Sequence, residues 1–193
     1  MRPPGSDDVV TAARALAPLG SRADDHPTWE AAATPTTWRA ASTVGHVVDA
    51  LLFYAGQVAR RADGRLPVLR DGRVAPPSVQ LESVLTAAHV LAGQLRDLGG
   101  GRAWHPSGMA DAAGWAGMAV TEILVHGVDA ARAVSVDLPL PEKACAATVA
   151  RVFPWIDRDL AAPGDLLLAV TGRTRVAGVD DDPDWWWQSA PLA

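Results

Sequence analysis

Residues 117–129, GMAVTEILVHGVD, decide how the rest of this chain is interpreted. Glu122 and His126 interrupt an apolar stretch at a spacing of i, i+4, which places both side chains on one face of a helix. A carboxylate among Ile123, Leu124 and Val125 is costly to desolvate unless it is paired or bound to a metal ion. The stretch therefore predicts a buried helix that carries a paired or metal-bound carboxylate.

A second apolar stretch, residues 43–49, supplies another imidazole at His46. Two histidines and one glutamate from facing helices can bind a divalent ion and leave one coordination position open, as catalytic sites do. A hydrogen-bonded core network of the same three residues is the alternative, because the pattern E-x-x-x-H is weak by itself. We predict that His46, Glu122 and His126 are metal ligands.

An aspartate follows each predicted histidine ligand by three residues: Asp49 follows His46, and Asp129 follows His126. At this spacing the carboxylate shares a helix face with the imidazole. It can accept a hydrogen bond from the ring nitrogen that does not bind the metal. We therefore expect Asp49 and Asp129 to orient the two histidine ligands.

Length and composition bound the class of protein. A chain of 193 residues with 49% hydrophobic residues predicts one domain with a buried core, or one domain with a small appendage. No stretch approaches the ~20 apolar residues that cross a bilayer, and residues 1–8 lack the apolar segment of a signal peptide. We expect a cytoplasmic protein with no membrane partner. The net charge of −5 argues against a nucleic-acid partner, and a single cysteine, Cys145, excludes an internal disulfide.

Hydrophobic periodicity and turn signals divide the chain into five helices and a short tail. The helices are predicted at residues 7–25, 36–62, 78–98, 110–134 and 141–159, with an early end or a kink at Pro18. Residues 63–77, rich in glycine, proline and arginine, are predicted to form a loop. Residues 166–176 contain two apolar runs around Gly172, which predict a β-hairpin docked by the three tryptophans at 185–187.

These elements predict an all-α-dominated fold, a four-helix bundle with an extra helix and a small C-terminal β-hairpin. Residues 1–162 would form the helical bundle with the metal site. Residues 163–193 would form the hairpin and the Trp-rich tail, packed on the bundle. Bundles build metal sites in their cores from facing helices, which agrees with ligands on the second and fourth predicted helices.

Two segments give the chain a resemblance to a known family. Residues 38–48, WRAASTVGHVV, combine a tryptophan, a short spacer and His46, and residues 104–115, WHPSGMADAAGW, precede Glu122 and His126. The first segment resembles the signature of the DinB-like bundles. Together the segments resemble the mycothiol-dependent maleylpyruvate isomerase family, and the tail, with residues 165–168, residues 171–173 and Trp187, is similar to the ending of many members.

The resemblance implies a DinB-like bundle in which His46, Glu122 and His126 hold a divalent ion, with Zn²⁺ as the first choice and Ni²⁺ as the second. It also implies mycothiol as cosubstrate, in its nucleophilic thiolate form. Where the isomerase carries a larger C-terminal domain with a substrate-binding arginine, this chain has a short tail, and Arg173 is a catalytic candidate by position only. His105 is the second candidate, because a connector that enters the site would bring it near a substrate.

The leading functional hypothesis is a metal-dependent enzyme that uses a small thiol to isomerise an electrophilic substrate, or to transfer the thiol to it. Its partners would be the thiol and the electrophile, and a homodimer is compatible with the sequence. A non-catalytic metal-binding bundle that serves as a sensor or stress-response accessory is the alternative. A metal-free bundle with a hydrogen-bonded histidine network is the third hypothesis.

Overall fold

Helix α5 (Ala112–Ala133) lies at the centre of the fold in the computed structural model, which describes residues 2–68, 75–180 and 182–192. Nearly every side chain between Gly114 and Ala131 is buried, as expected of a helix that is apolar on all sides. Asp111 caps the helix, since its carboxylate accepts a hydrogen bond of 2.8 Å from the backbone N–H of Gly114.

Helices dominate the described part of the chain, and four of them contact one another in a closed cycle. Helix α3 (Ala40–Ala59) packs against α4 (Pro77–Leu98) and α5, and α1 (Ser6–Ala15) also packs against α4 and α5. Helix α6 (Glu142–Val152) packs on the outer side of α5, and α7 (Pro163–Val170) packs on α6. A short helix, α2 (His26–Trp29), lies between α1 and α3 in the sequence.

Helix ends agree with the local signals in the sequence. Helix α1 ends at Ala15, and a 3₁₀ helix (Ala17–Arg22) that contains Pro18 follows it, so the early end predicted at Pro18 is correct. Helix α4 begins with Pro77 and ends before Gly99, whose φ of 55° suits glycine. Of the predicted loop at residues 63–77, residues 69–74 lie outside the described residues.

The β-hairpin lies at a different place from the one predicted. Strands β1 (Ala103–His105) and β2 (Gly108–Ala110) pair antiparallel, with Ala103 opposite Ala110 and His105 opposite Gly108. The sequence of residues 104–108 predicts only a connector between two helices, without strands. Two residues, Pro106 and Ser107, connect the strands, and Gly108 follows them with a φ of 126°, a backbone conformation that glycine adopts easily.

The predicted hairpin at residues 166–176 is wrong. Pro163–Val170 forms helix α7, with Pro163 in its first turn, and the side chains of Leu166, Leu167 and Leu168 are all buried. A short apolar run does not distinguish a buried strand from a buried helix. Contact with α6 and α5 buries the run on several sides, and this favours the helix. The fifth predicted helix, residues 141–159, also ends early, at Val152.

The C-terminal segment, residues 182–192, is held against the helices by Arg151 of α6. Its guanidinium donates hydrogen bonds to the backbone oxygens of Gln188 (2.8 Å) and Ser189 (3.0 Å) and to Asp111 (2.7 Å). The backbone approaches so closely that a Cβ at Gly114 would lie 2.4 Å from the Ser189 oxygen. This attachment fixes the position of the three tryptophans at 185–187. In the described ranges, no helix has the length and hydropathy that crossing a bilayer requires.

Candidate metal centre

The packing of α3 against α5 brings the three predicted ligands together. Oε2 of Glu122 lies 3.4 Å from Nε2 of His46 and 3.3 Å from Nε2 of His126. The two imidazole rings meet edge to face, with their centroids 5.0 Å apart. One ligand atom from each residue can be chosen so that all lie within 4.8 Å of one another, so the group could hold a metal ion.

The donor set and its spacing fit a divalent ion. Tetrahedral nitrogen and oxygen ligands at ~2.0–2.2 Å from an ion lie about 3.3–3.6 Å from one another. Both nitrogen–oxygen separations measured from Glu122 fall at the start of that interval. The side chain of His46 is 32% exposed, so the group can be reached from solvent on the α3 side. Two imidazoles and one carboxylate leave a fourth position open.

Glu122 is buried and fixed by a third neighbour, Tyr54 of α3. The Tyr54 hydroxyl donates a hydrogen bond of 3.1 Å to Oε1 of Glu122, which leaves Oε2 to face the two histidines. Burial raises the pKa of the Glu122 carboxyl, but hydrogen bonds and charge from His126 and His46 outweigh it and hold the pKa well below its usual range. Burial and the Glu122 charge raise the pKa of Tyr54, so its hydroxyl remains a donor.

His126 lies between two carboxylates. Its Nε2 faces Glu122, and its Nδ1 lies 3.3 Å from Oδ2 of Asp129, which is completely buried. The contact with Asp129 is close enough for an ion pair but is not aligned as a hydrogen bond. Burial lowers the pKa of His126, whereas Asp129 and Glu122 raise it, and the net result is a pKa of about 9. In the metal-free protein, His126 is therefore a cation between two carboxylates, and Arg173 supplies a second positive charge at Asp129.

Asp129 lies next to His126 and is also paired with Arg173, and its orienting role stays a prediction. Asp49 is half-buried on α3, three residues after His46, and its role remains a prediction. Trp38, from the segment before α3, packs on both ligands: its ring centroid lies 4.9 Å from that of His46 and 6.1 Å from that of His126.

A cavity of about 310 Å³ adjoins the three ligands. Arg173 lines it, together with residues of α5 and of the C-terminal segment. Its lining residues are His46, Thr121, Glu122, Val125, His126, Arg173, Pro183, Trp185, Trp186 and Trp187. The polar group of Thr121 already donates to the Gly117 oxygen. The walls away from the ligands are therefore mainly aromatic and apolar.

His105 does not line this cavity among the described residues. It is buried in the hairpin, with ring centroids 5.7 Å from Tyr54, 5.3 Å from Trp115 and 5.7 Å from Trp187. Its Nδ1 accepts a hydrogen bond of 3.1 Å from the Ser107 N–H. Burial lowers its pKa to about 4, so the ring is neutral at pH 7. Tyr54 lies between His105 and Glu122, since its ring packs on His105 and its hydroxyl donates to Glu122.

Sequence reasoning missed Tyr54 and the use of the tryptophans as cavity walls. Tyr54 lies eight residues after His46 on α3, a spacing that repeats on one helix face, so the pattern contained a usable signal. The tryptophans at 185–187 offered no comparable signal, because their contact with the site depends on how the tail folds back.

Comparison with known proteins gives no assignment: no family model matches the chain, and neither a curated protein nor a solved structure matches it. The resemblance carried by residues 38–48 and 104–115 therefore remains a prediction.

Proposed function

We propose that this chain is a DinB-like, metal-dependent enzyme that uses a low-molecular-weight thiol, of the mycothiol type, as the nucleophile toward a small electrophile. The observation that supports it most directly is the group of His46, Glu122 and His126 beside a cavity. Two imidazoles and one carboxylate with an open fourth position are typical of catalytic metal sites, whereas structural sites are closed by protein ligands.

Each neighbour of the ligand group has a defined part in this proposal. A divalent ion at His46, Glu122 and His126 would supply a Lewis-acid position that lowers the pKa of a thiol. Tyr54 keeps Oε1 of Glu122 occupied, so Oε2 would be the oxygen that holds the ion. His126 would hold the ion through its deprotonated Nε2, and Asp129, 3.3 Å from Nδ1, is placed to accept from the Nδ1–H.

The chemistry balances without an oxidant or reductant. The thiol loses its proton to solvent, and the thiolate sulfur forms a bond to the electrophilic carbon of an activated double bond. In an isomerisation, the electron pair moves to the activating group, the former double bond rotates, and the sulfur–carbon bond breaks to return the thiolate. In a transfer, the adjacent carbon takes a proton from solvent and the sulfur stays attached.

The cavity walls suit such a reaction. Trp185, Trp186 and Trp187 form an aromatic wall on one side, and an apolar wall strengthens electrostatic interactions beside it. A volume of about 310 Å³ is at the lower end of ligand pockets, which suits small substrates. Zn²⁺ is the first choice for this donor set and Ni²⁺ the second.

The decisive experiment measures thiol consumption with a panel of activated alkenes and alkyl electrophiles. Untagged protein would be stripped of metal and reloaded with Zn²⁺ or Ni²⁺, with Glu122→Gln as the matched control. We expect metal-dependent turnover that the control lacks. A full panel without metal-dependent turnover would contradict the proposal.

A non-catalytic metal-binding bundle, serving as a sensor, is the second candidate. It is favoured by the group of His46, Glu122 and His126, which could hold a metal ion without any contribution from a substrate. The sensor would be stabilised by metal alone and gain nothing from added thiol, whereas the enzyme would gain further stability from the thiol. Thermal unfolding with metal, and with metal plus thiol, separates the two.

A further inference from the structure

We propose that Arg173 positions the imidazole of His126 through Asp129 and does not bind substrate. This inference rests on the proposed metal centre and adds a residue to it. Arg173 lies after α7, in a part of the chain far from both ligand helices in sequence, and it reaches α5 through one buried carboxylate.

The contact between Arg173 and Asp129 is a two-pronged ion pair. Nε of Arg173 donates to Oδ1 of Asp129 at 3.2 Å, and Nη2 donates to Oδ2 at 2.8 Å. The side chain of Asp129 is 0% exposed and that of Arg173 is 9% exposed. A pair of this geometry fixes the plane of the carboxylate as well as its charge.

Arg173 is itself held on a second side. Its Nη1 donates a hydrogen bond of 2.6 Å to the backbone oxygen of Thr171, at the end of α7. The Thr171 hydroxyl in turn donates to the Leu167 oxygen inside that helix. The guanidinium is therefore fixed between α7 and Asp129, and three of its five N–H groups are used by the protein.

Asp129 passes this constraint to the metal ligand. Its Oδ2 receives Nη2 of Arg173 and also lies 3.3 Å from Nδ1 of His126. Because the pair with Arg173 fixes the carboxylate, it also fixes where Oδ2 meets the imidazole. A histidine that binds metal through Nε2 needs an acceptor for its Nδ1–H, which fixes the ring orientation. When His126 is neutral, as a metal ligand would be, Arg173 is the cation that balances the buried Asp129.

This arrangement separates Arg173 from a substrate-binding role. Arg173 lines the cavity, but the fork that would grip a substrate carboxylate is already occupied by Asp129. Removing Arg173 should therefore change metal affinity and coordination geometry before it changes substrate affinity.

A competing explanation is that Arg173 only holds the tail in place. Arg151 provides the matched control, because it is also buried, pairs with an aspartate and anchors the C-terminal segment. Its partner, Asp111, caps the N-terminus of α5, whereas His126 lies in the C-terminal half of that helix. Arg2, paired with Asp8 on α1, serves as a control for loss of an ion pair elsewhere.

The experiment measures the Zn²⁺ dissociation constant by chelator competition, and the visible d–d spectrum of Co²⁺-loaded full-length protein. We expect Arg173→Gln and Asp129→Asn each to weaken Zn²⁺ binding by roughly 10–100-fold and to alter the Co²⁺ spectrum. The double variant should lose little more Zn²⁺ affinity than either single variant, because Arg173 acts on His126 through Asp129. The Zn²⁺ affinity of Arg173→Lys should lie between those of the wild type and Arg173→Gln, since lysine keeps the charge without the planar guanidinium.

Two outcomes would overturn the inference. The first is a Zn²⁺ affinity and Co²⁺ spectrum for Arg173→Gln equal to those of the wild type. The second is an equal loss in Arg151→Gln, which would assign the effect to tail attachment; Arg2→Gln should change neither readout. If Arg173→Gln does not fold, Arg173→Lys and the double variant, which has no unpaired buried charge, carry the same test. A wild type that binds no divalent ion would instead contradict the proposed function itself.

Discussion

The hydroxyl of Tyr54 donates to Oε1 of Glu122, while the other oxygen of the same carboxylate faces both His46 and His126. One oxygen of this buried carboxylate therefore accepts from a neutral hydroxyl, and the other oxygen contacts two imidazoles. Because the phenol remains protonated, Glu122 cannot turn Oε1 toward the histidines without losing this hydrogen bond. The orientation of Glu122 is thus set before any metal ion binds.

Tyr54→Phe tests this relationship. Removing the donor leaves Oε1 of a buried carboxylate unsatisfied, so the free energy of unfolding of the metal-free protein should fall by roughly 1–3 kcal/mol. Metal affinity should fall as well, because a partner that orients a ligand is lost. Denaturant unfolding measures the first effect. In a Glu122→Ala background, which has no side-chain acceptor for the hydroxyl, the stability loss should shrink, and an undiminished loss would show that the hydroxyl does not act through Glu122.

The ligands themselves are tested by substitution. His46→Ala, Glu122→Gln and His126→Ala should each reduce the metal content from one divalent ion per chain, since each removes one of three protein ligands. His89→Ala is the matched control, because His89 is an exposed histidine on α4. Metal analysis of untagged protein gives the readout. Equal metal content in all four variants and the wild type would show that the site lies elsewhere.

Two histidines with opposite pKa shifts predict a pH optimum for the stability of the metal-free protein. His126 has its pKa raised from 6.5 to about 9, so the stability it contributes is complete below pH 6.5 and is lost as the pH rises toward 9. His105 has its pKa lowered from 6.5 to about 4, so its contribution is present above pH 6.5 and is lost as the pH falls toward 4. The free energy of unfolding should therefore be highest near pH 6.5.

Denaturant unfolding between pH 4 and 9 measures both arms, each worth roughly 1–3 kcal/mol. His126→Gln should flatten the alkaline arm and His105→Gln the acid arm. Bound metal replaces the Nε2 proton of His126, so the holoprotein should lose the alkaline fall, and metal affinity should rise with pH up to about 9. A metal-free protein that gains stability from pH 6.5 to 9 would contradict the assigned state of His126.

Substitution of two exposed tryptophans, one in the cavity wall and one outside it, tests whether the wall contributes to thiol binding. Trp186 is 51% exposed and lines the cavity, whereas Trp155 is 57% exposed and packs on Phe153. Trp186→Ala should weaken binding of benzyl mercaptan to the Co²⁺-loaded protein by roughly 3–10-fold, because one stacking surface is lost. Trp155→Ala should leave it unchanged. The sulfur-to-cobalt charge-transfer absorption measures binding. Equal effects of the two substitutions would show that Trp186 does not form a binding surface for the thiol.

Sequence patterns predicted the helices that carry the ligands, because those helices are long and strongly periodic. The spacing of Glu122 and His126 on α5 was sufficient to identify them as candidate ligands. His46 could be identified from its position in a second apolar helix. The mutual approach of these three residues also followed from the general way in which facing helices pack. The metal itself, the thiol and the substrate remain predictions.

The failures are confined to short segments whose conformation depends on distant contacts. Leu166–Leu168 is apolar enough for a strand or a helix, and only its position against α6 decides between them. His105 was placed near a substrate because a loop was expected, but the hairpin turns it into an aromatic cluster with Trp115. Arg173 reaches Asp129 across 44 residues of sequence, a contact that no local pattern contains.

The order of the site's parts along the chain has a consequence for biosynthesis. The three candidate ligands all precede residue 127, whereas Arg173 and Trp185–Trp187, which line the cavity, come later in the sequence. Because a chain is synthesised from its N-terminal end, helices α3 and α5 can meet while the side later covered by residues 183–187 is still open to solvent. At the proposed metal centre, an ion could then enter through that side as well as past His46, which stays partly exposed in the folded protein. We therefore predict that metal loading during translation is faster than loading of the folded protein, which keeps only the second of these two routes.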